Sequence, residues 1–63
     1  MTDAEVEAWF TDERYAEISR FNGGWIAEVW DNTVTEGRAR GATPLKALAA
    51  AIMNYRQHVC GAV

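Results

Sequence analysis

The sequence contains a single histidine, His58, and a single cysteine, Cys60, both near its C-terminal end. Imidazole and thiolate groups bind zinc, and they also form nucleophilic pairs in enzymes. A structural zinc site needs four ligands, and nothing near these two residues completes such a set. No third group is evident that would orient a Cys–His pair for catalysis. We therefore interpret the segment as a solvent-facing helix end and predict no metal and no cofactor.

Carboxylates are the second set of side chains that could do chemistry. Asp12 and Glu13 are adjacent, and Glu28 and Asp31 lie on or beside the most strand-like segment of the chain. General acid–base catalysis needs a pocket that shifts carboxyl pKa values, and a chain of 63 residues provides little concave volume. The sequence therefore predicts a solvated acidic surface, no catalytic residues and no enzymatic activity.

Glu28 shares a predicted strand face with Ile26 and Trp30, whereas Trp25 points the other way. An acid on an otherwise apolar face must lie at its rim or pair with a base such as Arg20. Both arrangements would make Glu28 a structural residue, which we favour over the alternative of a functional site.

The charges are distributed unevenly along the chain, whose net charge is −3. Residues 1–17 carry six acidic side chains and one basic, a balance of −5, whereas residues 18–63 carry three acidic and five basic, a balance of +2. The acidic N-terminal segment would suit a basic partner, and Arg38 with Arg40 would suit an acidic one. Solubility is the alternative explanation of both groups.

Tryptophan is a favoured anchor at protein interfaces, so Trp25 and Trp30 are interface candidates, with core packing as the alternative. Together with the charged groups, they complete the set of predicted partner-binding residues. These are Asp3, Glu5, Glu7, Asp12, Glu13, Trp25, Trp30, Arg38 and Arg40.

Composition predicts one small folded domain over residues 1–63. The chain is 49% hydrophobic and 11% aromatic, which argues against disorder. No apolar run approaches the ~18 to 20 residues that span a bilayer, so no membrane association is expected. A lone cysteine and an acidic start without a basic or apolar leader favour the cytoplasm. Because a core this small is marginal by itself, we also predict a homodimer.

Local patterns predict the elements that position these residues. A capping box at Thr2 and Glu5 opens a helix over Thr2–Phe10, which docks through Val6, Trp9 and Phe10. Strands are expected over Tyr15–Phe21, Trp25–Trp30 and Thr33–Arg40, followed by a helix from Pro44 to about Val59. The predicted fold is α+β: a three-stranded antiparallel meander with a short N-terminal helix and a long C-terminal helix, in the order α-β-β-β-α.

The sequence also bears on the register of the first hairpin and on the buried face of the long helix. The segment Asn22-Gly23-Gly24 is a strong hairpin signal, but two- and three-residue turns place the strand faces oppositely, so the register stays open. In the long helix, apolar residues at steps of three and four predict one buried stripe. The stripe consists of Leu45, Leu48, Ile52, Tyr55 and Val59.

The segments G-G-W-I-A-E-V-W (Gly23 to Trp30) and G-A-T-P-L-K-A-L-A-A-A-I (Gly41 to Ile52) resemble small phage-encoded α/β proteins of the phage ABA sandwich and NinX-like group. There, too, a G-W-x-A strand precedes an A-T-P segment that opens an alanine-rich helix. The resemblance implies a phage or prophage origin and an accessory role, and it carries over no catalytic residues.

The element order is also similar to that of double-stranded-RNA-binding domains, whose last helix begins with a lysine-rich segment. Here that segment contains Lys46 as its one basic residue in an acidic domain. The chain further resembles the HicB antitoxin fold through Gly24, Asp31, Thr43 and Ala47-Leu48. HicB-like proteins act by binding a toxin, so this resemblance also implies a protein partner.

Together these observations predict a non-enzymatic phage or prophage accessory protein in the cytoplasm of a bacterial host. It would bind a host or phage protein and inhibit a host defence or regulatory complex. The alternatives are a nucleic-acid-binding module of the double-stranded-RNA-binding type and a HicB-like antitoxin.

Overall fold

The structure, a computed structural model, describes residues 1–11, 13–33 and 36–61, with side chains up to residue 57. Its elements are α1 (Asp3–Trp9), β1 (Arg14–Phe21), β2 (Gly24–Asp31), β3 (Glu36–Gly41) and α2 (Pro44–Gly61). The strands form one antiparallel sheet in the order β1-β2-β3. The predicted α+β class and the α-β-β-β-α order are confirmed.

Some predictions fall outside the described residues. Asp12, and the part of the third predicted strand at Val34 and Thr35, are among them. So are the side chains of the predicted helix end, namely His58, Val59 and Cys60.

Helix α1 begins with the predicted capping box. The backbone N–H of Glu5 donates to Thr2 Oγ1 at 3.2 Å, and the N–H of Thr2 donates to Glu5 Oε1 at 3.1 Å. Val6 and Trp9 are buried, as expected. Phe10, however, is exposed, because it is the C-cap with extended backbone and so leaves the buried helix face. Its ring still touches the edge of Trp9, with 4.9 Å between centroids.

A two-residue turn closes the first hairpin and settles its register. Asn22 and Gly23 both have positive φ, 49° and 77°, which is the signature of a type I′ turn. Phe21 therefore pairs with Gly24, and the register continues without interruption to Arg14 opposite Asp31.

Both helices lie on the same side of the sheet, where Ala27 and Val29 of β2 are fully buried. The predicted stripe of α2 is correct at Ile52 and Tyr55 but wrong at Leu45, which is exposed. The remaining buried positions of α2 in the described core are Ala47 and Ala51.

Alanine lines this helix face because α2 approaches β3 very closely. A Cβ atom built on Gly37 would lie 2.3 Å from the carbonyl oxygen of Ala51, and one on Gly41 would lie 2.4 Å from the amide nitrogen of Ala47. Backbone thus packs against backbone at two points, and any larger side chain there would push the layers apart. The two glycines and two alanines together set the distance between helix and sheet.

None of the helices within the described ranges combines the length and the hydropathy needed to cross a membrane.

The close helix–sheet contact can be tested with glycine substitutions. Gly37→Ala and Gly41→Ala should each lower the free energy of unfolding by about 1–3 kcal/mol, because the new methyl group overlaps helix backbone. Gly24→Ala is the matched control, since its Cβ would meet its nearest atom, the Gly41 carbonyl oxygen, at an ordinary 3.4 Å. Its effect should stay below about 1 kcal/mol. Urea denaturation measures all three, and equal effects would contradict the close contact.

Candidate functional site

The sheet face opposite the helices is not covered by any described element. Strand register places its side chains in rows, since directly paired residues share a face. The first row is Tyr15, Trp30 and Glu36, and the second is Glu17, Glu28 and Arg38. This surface, the open face, consists of Tyr15, Glu17, Ser19, Phe21, Ile26, Glu28, Trp30, Glu36, Arg38 and Arg40.

Large apolar side chains occupy much of the open face. Tyr15 is 44% exposed and Phe21 is 48% exposed, while Trp30 and Ile26 are half-buried. The rings of Tyr15 and Trp30 stack with centroids 6.0 Å apart and planes 24° from parallel. Tyr15 and Trp30 therefore form one apolar cluster. Phe21 and Ile26 lie toward the other end of the face, beyond the charged second row. Exposed apolar clusters are typical of interaction surfaces.

Charged side chains complete the open face along β3. The Arg38 Nε atom lies 3.7 Å from Glu28 Oε1, so Glu28 pairs with Arg38 across the strands. Glu28 thus pairs with a base, as one of the two predicted arrangements requires, but the base is Arg38. Arg20, the candidate base suggested by the sequence, lies on the helix side of β1, with its guanidinium 5.2 Å from the Trp25 ring. Both members of the Glu28–Arg38 pair are substantially exposed, so the pair contributes little stability and leaves Arg38 accessible.

Arg40 is held over the Phe21 ring, with 5.0 Å between its guanidinium carbon and the ring centroid. A cation over an aromatic face gains electrostatic stabilisation and loses part of its freedom of movement. Arg40 is thereby oriented over the open face before any ligand arrives.

A depression of about 240 Å³ lies between these side chains, bounded by Ile26, Glu28, Arg38 and Arg40 along its floor and β3 side. Small-molecule pockets are usually about 300–1,000 Å³ and lined mainly by apolar groups. This one is smaller, and its exposed lining is mostly polar. The open face therefore suits contact with a broad surface better than enclosure of a small ligand.

The structure brings together Trp30, Arg38 and Arg40 of the predicted partner-binding residues, all on the open face. Trp25 lies on the other side of the sheet, partly buried against the core. The remaining described members of the set are elsewhere. Asp3, Glu5 and Glu7 belong to α1, and Glu13 immediately precedes β1.

Glu5 is already used inside the molecule. The hydrogen bonds from Thr2 in the capping box stabilise its carboxylate and lower its pKa. The Glu5 carboxylate therefore caps the N-terminal end of α1, and this role is structural.

Sequence reasoning missed Tyr15 and Phe21 as members of this surface. Tyr15, Ile18 and Phe21 are all β-prone residues of one strand, and the open register left their faces undefined. Once the two-residue turn is known, alternation alone places Tyr15 and Phe21 on the same sheet face as Trp30 and away from the core.

A second polar cluster joins the elements on the helix side. The Tyr55 hydroxyl donates to Asp31 Oδ2 at 2.6 Å, and the N–H of Thr33 donates to Asp31 Oδ1 at 2.8 Å. Arg14 donates to the Trp9 carbonyl oxygen at 2.8 Å, and its guanidinium lies 5.9 Å from the Tyr55 ring centroid. These contacts connect α1, β1, the end of β2 and α2.

The hydrogen bonds shift two pKa values in this cluster. Donation from the Thr33 side chain, and then from Tyr55, lowers the pKa of Asp31. The same bond to Asp31 raises the pKa of Tyr55, which is buried, because the carboxylate accepts the phenolic proton only while that proton is present. Asp31, Tyr55 and Arg14 are thus all engaged in hydrogen bonds within the molecule, so we interpret the cluster as a structural link between the helices and the sheet.

No group of three or more carboxylate, imidazole or thiol side chains lies close enough to hold a metal ion among the residues that the structure describes.

The Tyr55–Asp31 bond predicts a particular dependence of stability on pH. Because the pKa of Asp31 is lowered by folding, its contribution is present above about pH 4 and is lost as the pH falls through the folded value. Because the pKa of Tyr55 is raised, its contribution is present below about pH 10 and is lost as the pH rises through the folded value. Tyr55→Phe should lower the free energy of unfolding at pH 7 and remove the alkaline loss.

Tyr15→Phe is the matched control, since Tyr15 is exposed on the open face. It should leave the stability at pH 7 nearly unchanged, and urea denaturation between pH 3 and pH 11 would make the comparison. Equal losses in the two variants would show that the Tyr55 hydroxyl does not tie the helix to the sheet.

Comparison with known proteins finds no match to this chain among family models, curated proteins or solved structures. The resemblances to phage proteins, to double-stranded-RNA-binding domains and to HicB antitoxins therefore stay predictions. The activity of the chain must follow from the chemistry of its own surfaces.

Proposed function

We propose that the chain is a non-enzymatic protein-binding module that engages its partner through the open face. The observation that carries this proposal is the apolar content of that face. Tyr15, Phe21, Ile26 and Trp30 all belong to a surface over which no described element packs. Aromatic side chains bury a large area on contact and lose little conformational freedom, which makes them effective anchors.

The charges on the open face specify the chemistry of the partner. Arg38 and Arg40 lie side by side along β3, at the edge of the apolar area. Guanidinium groups bind carboxylates through paired hydrogen bonds, and such charge-assisted bonds are stronger than neutral ones. A matching partner surface presents apolar side chains next to one or more carboxylates.

A nucleic-acid partner fits this surface less well. The open face carries Arg38 and Arg40 but also Glu17, Glu28 and Glu36, so its formal charge is negative. Affinity for nucleic acids depends on neutralising phosphates, which needs an excess of positive charge.

The start of α2, where double-stranded-RNA-binding domains have a lysine-rich segment, is also poorly suited to RNA. It has Lys46 as its one basic residue, and α1 adds further acidic side chains to the domain. These features favour the protein-binding hypothesis over the RNA-binding alternative.

The wider role is part of the same proposal and is supported by the sequence resemblances. A phage or prophage accessory protein that inhibits a host complex in the bacterial cytoplasm needs a recognition surface and no catalytic centre. The open face provides such a surface, and a HicB-like antitoxin would use one for the same physical reason.

The proposal is tested by removing the two arginines. The double variant Arg38→Ala/Arg40→Ala should weaken binding to a protein partner isolated from bacterial lysate by at least about tenfold, because it removes the charge-assisted hydrogen bonds to the partner's carboxylates. Isothermal titration calorimetry with the purified partner measures this change, and circular dichroism checks that the variant folds.

The matched control is Lys46→Ala/Arg56→Ala, which also removes two positive charges but from exposed positions on α2. It should bind as the unmodified chain does. Equal weakening by both double variants would overturn the proposal. Salt-sensitive retention on immobilised nucleic acid that depends on the two arginines would overturn it in favour of the alternative.

A further inference from the structure

Strand β1 forms one edge of the sheet and is uncovered along nearly its whole length. It is eight residues long, and every residue after Arg14 is exposed. Helix α2 lies mainly over β3 and β2 and barely reaches β1. Ile18, on the helix side of β1, is consequently 40% exposed.

The outer edge of β1 has unpaired backbone groups. In a hairpin with a two-residue turn, the residues that flank the turn form a hydrogen-bonded pair, and such pairs then alternate along the ladder. Phe21 flanks the turn, so the odd-numbered residues of β1 bond to β2. The N–H and C=O groups of Ala16, Ile18 and Arg20 therefore point away from the sheet.

Proteins that remain monomeric usually protect such an edge with charged side chains, especially lysine, or with proline, a bulge or a covering element. Strand β1 has no proline and no lysine, and its pairing with β2 is unbroken from Arg14 to Phe21. Its charged residues, Arg14, Glu17 and Arg20, would lie opposite no like charge in an antiparallel pairing centred on Ile18. The other edge, β3, is shorter and lies beneath α2. Of the two edge strands, β1 is therefore the one that is better suited to pair with another strand, because it is longer and is not covered by a helix.

We propose that two copies of the chain associate through antiparallel pairing of their β1 strands, with Ile18 opposite the partner's Ile18. The result is one continuous six-stranded sheet, twice the three strands of a single copy. The outward backbone groups of Ala16, Ile18 and Arg20 would all gain partners, because Ala16 lies opposite the partner's Arg20.

Side-chain complementarity selects this register. A two-fold axis perpendicular to the sheet keeps each open face on the same side and places Tyr15 opposite the partner's Phe21. The two most exposed aromatic side chains of the chain would then cover each other. Glu17 would lie opposite the partner's Ser19, so no like charges meet.

Neighbouring registers are worse. Moving the axis to Glu17 would place Glu17 opposite the partner's Glu17 and Arg14 opposite the partner's Arg20, and like charges directly opposite are destabilising. Moving the axis to Ser19 would place Ile18 opposite the partner's Arg20 and separate the aromatic pair. Shifts that put the axis between residues would set open-face side chains against helix-side ones.

The dimer would also extend the open face. Tyr15 already stacks on Trp30, and the partner's Phe21 would continue that row. The pairing can be tested separately from the proposed protein partner. It uses the backbone edge of β1 together with Tyr15 and Phe21, whereas the test of the protein partner removes Arg38 and Arg40 and leaves β1 unchanged.

Sedimentation equilibrium at micromolar concentration tests the pairing. The expected mass is about twice the 7.0 kDa of one chain. Ile18→Lys should shift the protein to a single-chain mass, because it buries a charge at the two-fold axis. Leu45→Lys is the matched control, since Leu45 is 41% exposed and belongs to α2, which lies mainly over β3 and β2 and not over the β1 edge. This variant should remain a dimer.

Cysteine cross-linking with an added mild oxidant tests the register, in a chain carrying Cys60→Ser. Ile18→Cys should form a disulfide-linked dimer, because paired Cα atoms across an antiparallel ladder lie about 5.5 Å apart. Ala16→Cys alone should not, whereas a mixture of Ala16→Cys and Arg20→Cys chains should link to each other. A single-chain mass for the unmodified protein, a dimer unaffected by Ile18→Lys, or cross-linking of Ala16→Cys with itself would each overturn the proposal.

Discussion

The contact between α2 and β3 is the constraint on which the rest of the structure depends. At Gly37 and Gly41 the helix backbone comes so close that no Cβ atom fits between the layers. Such an approach gives dense packing at one side of the sheet, but it also holds the axis of α2 over β3 and β2. The helix cannot then also cover β1. The exposed side of Ile18 and the open edge of β1 are consequences of this position.

Because the hydrophobic core is small, the polar contacts between the helices and the sheet are important for stability. The buried hydrophobic core among the described residues is made of Val6, Trp9, Ala27, Val29, Ala47, Ala51, Ile52 and Tyr55, and three of these are alanines. Alanine gives close contact but little buried apolar area, and domains of about 60 residues are marginal for that reason. The Tyr55–Asp31 bond and the Arg14 contacts add connections between elements that the small core does not supply. Pairing through β1 would add apolar burial of the kind that alanine cannot provide.

Local sequence signals were sufficient for much of the fold. The capping box at Thr2, the proline that opens α2 and the turn residues after Phe21 act within a few residues, so each could be recognised without tertiary information. The stripe on α2 was partly wrong because periodicity ranks Leu45 above Ala47. The close approach of a glycine-containing strand reverses that order, and this approach joins residues far apart in the sequence.

The open face was harder to predict for a related reason. Its members come from three strands, and their common side depends on the turn that fixes the register of β1. Alternation on β2 and β3 identified Trp30, Arg38 and Arg40, but Tyr15 and Phe21 needed the observed pairing. The same pairing gave Glu28 the partner Arg38 in place of Arg20.

The uneven charge along the chain acquires a spatial meaning in the structure. The acidic residues of α1 lie in the helix layer, whereas Arg38 and Arg40 lie on the opposite side of the sheet. A partner that covers the open face would therefore meet the arginines and the aromatic side chains without approaching α1. Because charges beyond a Debye length of about 10 Å are largely screened, the acidic helix would repel a carboxylate-bearing partner only weakly. The net charge of −3 would thus not determine which partner the proposed binding surface selects, since that choice would depend on the side chains in direct contact.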